Sequence, residues 1–475
     1  MKNLRDRRSA RLLFLTVIFV AGVTSPATRA AEPQLAASEA TWSIAATGDA
    51  IMTRQVRCFE GDQGFMGLVK RLREADAAVI NLELALFRLW EFKGYPQVEN
   101  GGNWELASPE VGGDLKWMGF DLYNYANNHT TDYGVEGMVE TMRFLDSLNL
   151  VHAGAGMTAG EAAQAKYFET SKGRFALVGL ATSFTPMSRA GEPRPEIKGR
   201  PGINALRIDS TIELAPAEMA ELRKVVKAVG GRVPDSEKEA VRFGNTTVSP
   251  GAENRVVYKL NAGDEDRILR SIRNAARQAD FVIVYAHSHD IAGPSGLVPA
   301  PEHLRGFIKK CLDAGADMYA ISGPHRLRGI EIYRGKPIFY SLGNFFMQNE
   351  TIEPTPDDMY EGYGLGGDAL AADLYDKRSK IDPKSGLATA YYSADPEAWE
   401  SVVAVPEFKG HHVSAIKLYP VDMGFSMPRS QKGTPRLASP DLGKKIIDRL
   451  ARMSEVYGTT IAFKDGIGVW EGGAK

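Results

Sequence analysis

Short apolar runs alternate along this chain with longer segments whose apolar positions recur at helical spacing. "TWSIAATGDAIM" predicts a strand ending at Gly48-Asp49, "FMGLVKRLREAD" an amphipathic helix, and "AAVINLELAL" a second buried strand. A short helix with a Ser-Pro start follows in "SPEVGGDLKWMGF" and leads into the strand "DLYNYA". "GVEGMVETMRFLDSLNL" then places Val135, Met138, Met142 and Leu145 on one helical face. The strand pattern returns in "RFALVGLAT", "DFVIVYAHSHD" and "DMYAISGPH". Strands alternating with helices in this way predict an α/β fold.

Repeatedly, a predicted buried strand ends in a cluster of Gly, Asn, His, Asp or Glu. The carboxyl ends of strands are where open α/β sheets bind ligands, so these clusters are expected to converge on one edge. Two stretches interrupt the alternation. Residues 187–265 are rich in Arg, Glu, Pro and Gly around a charged helix near Ala217 to Val229. Residues 350–400 carry acids, tyrosines and glycines, as in "DDMYEGYGLGGD". Both are long for simple connections, which predicts lids or substrate-facing loops, the alternative being solvated appendages. "YRGKPIFYSLGNF" reads as a hairpin turning at Arg334-Gly335-Lys336.

Composition adds a leader and removes one class of partner. The net charge of -2 over 475 residues includes Lys2, Arg5, Arg7, Arg8 and Arg11 ahead of the apolar run Leu12 to Val23. Residues 1–31 therefore read as a secretory signal with its exit near Ala30 or Ala31, followed by a polar linker over 32–40. An uncleaved anchor is the alternative, although the run falls short of the roughly 20 residues that span a bilayer. Without the leader the protein is acidic and has no basic stretch to track a backbone, which sets nucleic acid aside as a partner. Export would place Cys58 and Cys311 where two thiols could pair. With no CxxC or Cys/His cluster, a structural zinc site is not expected, and any metal must sit on His, Asp, Glu and Asn.

Those residue types gather in Asp49, Asn81, Glu83, Asn128, His129, Asp132, His287, His289 and His325. Carboxylate, amide oxygen and imidazole together suit manganese, zinc or iron, whereas calcium prefers oxygen alone. One carboxylate between two metals, with Asn and His completing the shells, builds a site that activates water against a phosphoester. A histidine beside a ligating Asn would stand near the leaving group as general acid.

"ATGDAIM", "VINLELAL", "YANNHTTDYGVEGM", "IVYAHSHD" and "GADMYAISGPHRLRGIEIYRGKPIFYSLGNFF" resemble the CapA-type poly-γ-glutamate capsule biosynthesis proteins, whose domain is similar to the calcineurin-like metallophosphoesterases. The resemblance runs from Trp42 to Asn349 and extends toward Tyr419 at "SAIKLYP". It implies a four-layer αββα sandwich of the metallophosphoesterase type over 41–425, carrying the two insertions, and a C-terminal extension over 426–475. By position it implies one or two divalent ions on Asp49, Glu83 (bridging), Asn128, His287 and His325, with His129 as the acid. Asp132 either orients His129 or caps the helix beginning near Gly134, and its turn position favours capping. Asn81, His289, Ser322, Ser341, Gly343 and Asn344 are expected to line the site. Ala50 and Ile51 stand where metallophosphoesterases carry Asp-x-His, and Ser322-Gly323 replaces a further histidine. His289 compensates if its i, i+2 spacing sets it beside His287. The implied function is an exported, metal-dependent, hydrolase-like protein acting on an anionic polymer or phosphoester of the capsule or envelope, alongside a membrane synthesis complex. The alternative is a non-catalytic polymer-binding or export-assisting protein with a degenerate site.

Overall fold

The computed structural model describes residues 40–290, 299–353 and 355–472. The expected leader, residues 1–31, and the linker up to residue 39 lie outside the described residues.

Side chains of the first strand, Thr41–Ile51, divide by parity. Ile44 and Ala46 enter one apolar core and Ala45 another on the opposite face, as the period of two in a strand requires. The strand lies inside a 10-stranded sheet. Ala77–Leu82, Leu122–Asn124 and Val151–Ala153 follow it on one side in parallel, and Glu400–Lys409 and His412–Asp422 on the other in antiparallel register. A second sheet of 6 strands sets Arg174–Ala181, Phe281–His287, Met318–Ser322 and Lys336–Phe339 side by side in parallel.

One core joins the facing sides of the two sheets. Ile44, Val79 and Leu122 from the large sheet meet Phe175, Phe281, Ile283 and Met318 from the small one. The other face of the large sheet is covered by the helices Gln63–Glu74, Pro109–Met118 and Gly134–Ser147, through Phe65, Leu68, Leu115 and Met138. The helices Ala262–Ala275 and Glu302–Asp313 cover the small sheet through Ile268, Ile272, Phe307 and Ile308. Both sheets are thus buried on two faces, which is why their central strands are continuously apolar. Tyr285 Oη donates to the Thr47 carbonyl at 2.6 Å and ties one sheet to the other close to the strand ends.

Each insertion has its own organisation. Residues 208–260 form a separate 4-stranded sheet with the helix Pro216–Ala228, closed by Met219, Val226, Val241 and Val248. Residues 186–203 instead return to the main body, where Ser188 Oγ meets Thr131 Oγ1 at 2.5 Å. In the second insertion, Met359 and Leu374 pack on Phe87, Trp104 and Tyr133, so this segment lies over the loops that follow the strands. After residue 425 the chain adds Ala462–Lys464 and Ile467–Glu471 to the large sheet, and the helix Pro440–Glu455 sends Ile446, Ile447 and Leu450 into the core between the sheets. The hairpin turns at Arg334 and Gly335, both at positive φ, between Ile330–Tyr333 and Lys336–Phe339. Cys58 is exposed, Cys311 is buried, and both are free thiols, so the two do not pair. Among the described residues no helix is long and apolar enough to cross a membrane.

Candidate metal centre

The parallel strands of both sheets deliver their carboxyl ends to one place. Asp49 stands near the end of the first strand, Asn81 near the end of the second with Glu83 just past it, His287 ends the central strand of the small sheet, Ser322 ends its neighbour and His325 follows. The end of the first strand is bent, with register irregularities next to Asp49 on both sides. A Cβ on Gly48 would lie 1.8 Å from the Gly343 carbonyl oxygen, so only glycine admits that approach. The Asp49 amide bonds the same oxygen at 3.0 Å, which fixes the aspartate inward.

Asp49, Glu83 and His287 are fully buried together. His287 Nδ1 lies 3.6 Å from Asp49 Oδ1, and its Nε2 3.6 Å from Glu83 Oε1. His325 Nδ1 lies 3.6 Å from Asp49 Oδ2. His289, expected only to line the site, brings its Nε2 within 3.1 Å of His287 Nε2. Two sets of donor atoms result, each within 4.8 Å: Asp49, Glu83 and His325 in one, Glu83, His287 and His289 in the other. Glu83 belongs to both. His325 takes φ +53°, an uncommon conformation outside glycine, and its Nδ1 meets Asn344 Oδ1 at 2.8 Å.

The donor set fits a divalent cation. Among the described residues neither Glu83 oxygen has a hydrogen-bond partner although both are buried, and Asn128 Oδ1 is in the same condition. An ionised carboxylate cannot stay in such a place without a compensating charge. Burial first, and then the Asp49 charge, push the Glu83 carboxyl well above the ordinary range. Asp49 goes the other way: burial opposes ionisation, but the hydrogen bond and charge of His287, followed by the charge of His325, hold it well below. His289 is exposed at one edge, yet removal from bulk water and then the charges of His287 and His325 keep its imidazole low and neutral, the form that donates a lone pair.

Asn128 and His129 stand in the turn after Leu122–Asn124. His129 Nδ1 bonds Asp132 Oδ2 at 2.7 Å, leaving Nε2 facing Glu83 Oε1 at 4.0 Å. Burial lowers the His129 imidazole, but the Asp132 charge and hydrogen bond outweigh it, and the net direction is upward. Asp132 does not cap the following helix: Gly134–Ser147 has Tyr133 at its N-cap and no side-chain cap. The Asp132 carboxylate instead accepts from the amides of Gly101 at 2.9 Å and Glu105 at 3.0 Å while orienting His129.

Among the other expected lining residues, Asn81 donates to Asp49 Oδ1 at 2.8 Å and lies 3.2 Å from His287 Nδ1. Ser322 ends its strand in register with His287. Asn344 pairs with Asp49 and steadies His325. Ser341 Oγ accepts from the Gly343 amide at 3.1 Å within the turn. Residues absent from the sequence reading also reach the centre. Asn124 donates to Asn81 Oδ1 at 2.7 Å, and Asn127 Oδ1 accepts from the His129 amide at 3.0 Å. Buried Glu105 is pushed up to about 7 by burial, against the charges of His129 and Arg378. Tyr392, from the second insertion, sets its ring 4.8 Å from that of His325. Asn124 and Asn127 stand as amides beside His129 in the sequence; Glu105 in a loop and Tyr392 at the start of a short 3-10 turn carry no strand-end signal.

The family described as bacterial capsule synthesis protein PGA_cap matches residues 43–349. An uncharacterized protein of Sinorhizobium fredii, y4sH, is 38% identical over 444 residues, covering 90% of this chain and 92% of its own. The capsule biosynthesis protein CapA of Bacillus anthracis is 24% identical over 338 residues, 70% of this chain and 66% of its own. The PGA biosynthesis protein CapA of Bacillus subtilis is 28% identical over 232 residues, 49% of this chain and 43% of its own.

Proposed function

We propose that this chain, which belongs to the bacterial capsule synthesis protein PGA_cap family, is an exported metal-dependent hydrolase acting on an anionic capsule or envelope polymer. The observation that carries the reading is Glu83, a buried carboxylate shared by two donor sets with neither oxygen hydrogen-bonded. In this reading Asp49, Glu83 and His325 hold one ion, Glu83, His287 and His289 a second, and Asn128 supplies a further oxygen. The paired sheets with helices outside are read as the four-layer αββα sandwich of metallophosphoesterases. The names of the Bacillus relatives support the polymer, and the leader over 1–31 supports export.

A divalent ion bound there supplies Lewis acidity toward a phosphoryl or carbonyl oxygen and acidifies water. The chain's own residues do the rest. His129 carries its mobile proton at Nε2 because Asp132 engages Nδ1, and the raised affinity for that proton keeps it available near neutral pH. From the side facing Glu83 it hands the proton to the leaving group, a role that contributes about 10²–10⁴-fold. Asn81 and Asn344 hold Asp49 and His325 in place.

A second reading, a polymer-binding or export-assisting protein, is favoured by Ile51 at the position of a usual metal ligand and by Asp49, whose two oxygens already accept from Asn81 and from the Gly323 amide at 3.0 Å. Turnover of a simple phosphodiester and of poly-γ-glutamate by the manganese-loaded protein separates the two. The hydrolase reading expects turnover that His129→Ala reduces 10²-fold or more with metal content retained, and that Asn128→Ala reduces together with metal content. Metal-loaded protein inert toward both substrates would leave the binding role standing.

A further inference from the structure

Beside the metal centre the second insertion forms an open-mouthed cavity of about 690 Å³, within the size range of small-ligand sites. Its walls come from the helix Ala371–Ser379 and from Tyr363 and Tyr391. Arg378 lines it, with the guanidinium carbon 4.9 Å from the centre of the Tyr391 ring. A file of rings leads from there to the metal centre: Tyr391 to Tyr392 at 6.3 Å, then Tyr392 to His325 at 4.8 Å. The Arg378 charge also reaches inward, acting on both Glu105 and His129. Tyr391 is held at φ +58°, a conformation that a bulky side chain rarely adopts, at the point where cavity and centre adjoin.

The charges in the cavity are unbalanced in a specific way. Asp373 is spent on the amide of Leu370 at 2.9 Å, and Asp376 on the guanidinium of Arg429 at 2.5 Å. Among the described residues, Lys377, Arg378 and Lys380 form no ion pair. Among the described residues, then, the cavity's cations lack a carboxylate partner, Arg378 meeting only the ring of Tyr391 and the hydroxyl of Tyr363, beside the apolar walls of Leu365 and Ile381.

We propose that this cavity is a substrate subsite in which Arg378 grips a carboxylate attached directly to a main chain that contains short methylene runs, holding an acidic polymer in register with the metal centre. The inference deepens the acidic-polymer reading and rests on it. A planar guanidinium matches a carboxylate through two parallel hydrogen bonds, and the backbone methylenes of such a polymer suit the apolar walls. Singly charged groups spaced along a chain suit one fork better than a compact dianion does.

The test is binding of a fluorescent γ-linked glutamate oligomer to the manganese-loaded full chain, with metal content measured in parallel. Arg378→Gln is expected to weaken binding about 10-fold or more and Arg378→Lys to fall between, with metal content unchanged. Arg378→Lys keeps the test usable if the glutamine variant does not fold. Equal affinity in parent and variants, or no binding to the parent, overturns the proposal. Displacement of the oligomer by inorganic phosphate at lower concentration than by glutarate overturns the carboxylate assignment. Binding that depends on Arg378 in a parent that hydrolyses nothing supports the subsite and removes only the hydrolase reading.

Discussion

Glu83 is the residue whose chemistry is hardest to explain without a cation. A buried carboxyl with no donor, beside an ionised Asp49, is a liability to the fold alone. Glu83→Gln should therefore leave the chelator-treated protein as stable as the parent, or raise its melting temperature. With manganese at about 100 times its dissociation constant the parent should gain about 2.7 kcal/mol, and the variant nothing. Thermal unfolding with and without chelator reads both; a variant that melts lower in chelator, or gains as much from manganese, would contradict the role. At this scale the sequence made Asp49, Glu83, His287 and His325 legible because each ends or follows an apolar run. It misjudged Asp132, since a turn aspartate before a helix has local reasons to cap, and only the distant amides of Gly101 and Glu105 show what it does instead. Arg378 was illegible: nothing local distinguishes a helical arginine in an insertion until Tyr391 and Glu105 are placed beside it.

The first strand and the helix Ala262–Ala275 carry the elements' own predictions. Gly48→Ala puts a methyl group against the Gly343 carbonyl, with no flexible side chain to yield, and should cost on the order of 3 kcal/mol or more along with metal affinity. Denaturant unfolding and metal titration of the variant check this, and an unperturbed midpoint would show the strand end to be slack. In the helix, Asp264 accepts from the Arg207 amide at 3.1 Å, from Arg207 Nε at 2.6 Å and from Arg267 Nη1 at 2.9 Å, tying the root of the first insertion to the small sheet's covering helix. Burial opposes its ionisation, but these bonds hold the carboxyl below its ordinary value of 3.8. A depressed carboxyl stabilises fully above that value and loses its contribution as pH falls through its lower, folded one. Asp264→Ala should thus cost about 1–3 kcal/mol at pH 7, and the gap to the parent should close in the acid range below about pH 4. A gap that stays constant with pH would mean the carboxylate's charge is not what matters. Strands and helices were largely readable here because two-sided burial leaves continuous apolar runs and one-sided burial leaves a stripe. The strands of residues 208–260 were not, since each buries at most one side chain fully, too few to leave either signature.

Across the whole molecule, two sheets supply donors to one centre that neither could build alone, and the second insertion roofs it through Tyr392. The sequence conveyed the α/β class and the convergence of strand ends, because both follow from the order of elements. It did not convey that residues 436–471 complete the large sheet, or that residues 208–260 build a sheet of their own while the other insertion packs on the loops beside the centre, because such placements depend on packing between segments distant in sequence. At that centre, Glu83 is proposed to join two donor sets around divalent ions. Anomalous diffraction from crystals of the full chain grown in manganese tests it directly. Scattering peaks are expected at about 2.0–2.3 Å from the Glu83 carboxylate, one with Asp49 and His325 and one with His287 and His289. Manganese found elsewhere on the protein, with Glu83 untouched, would contradict it.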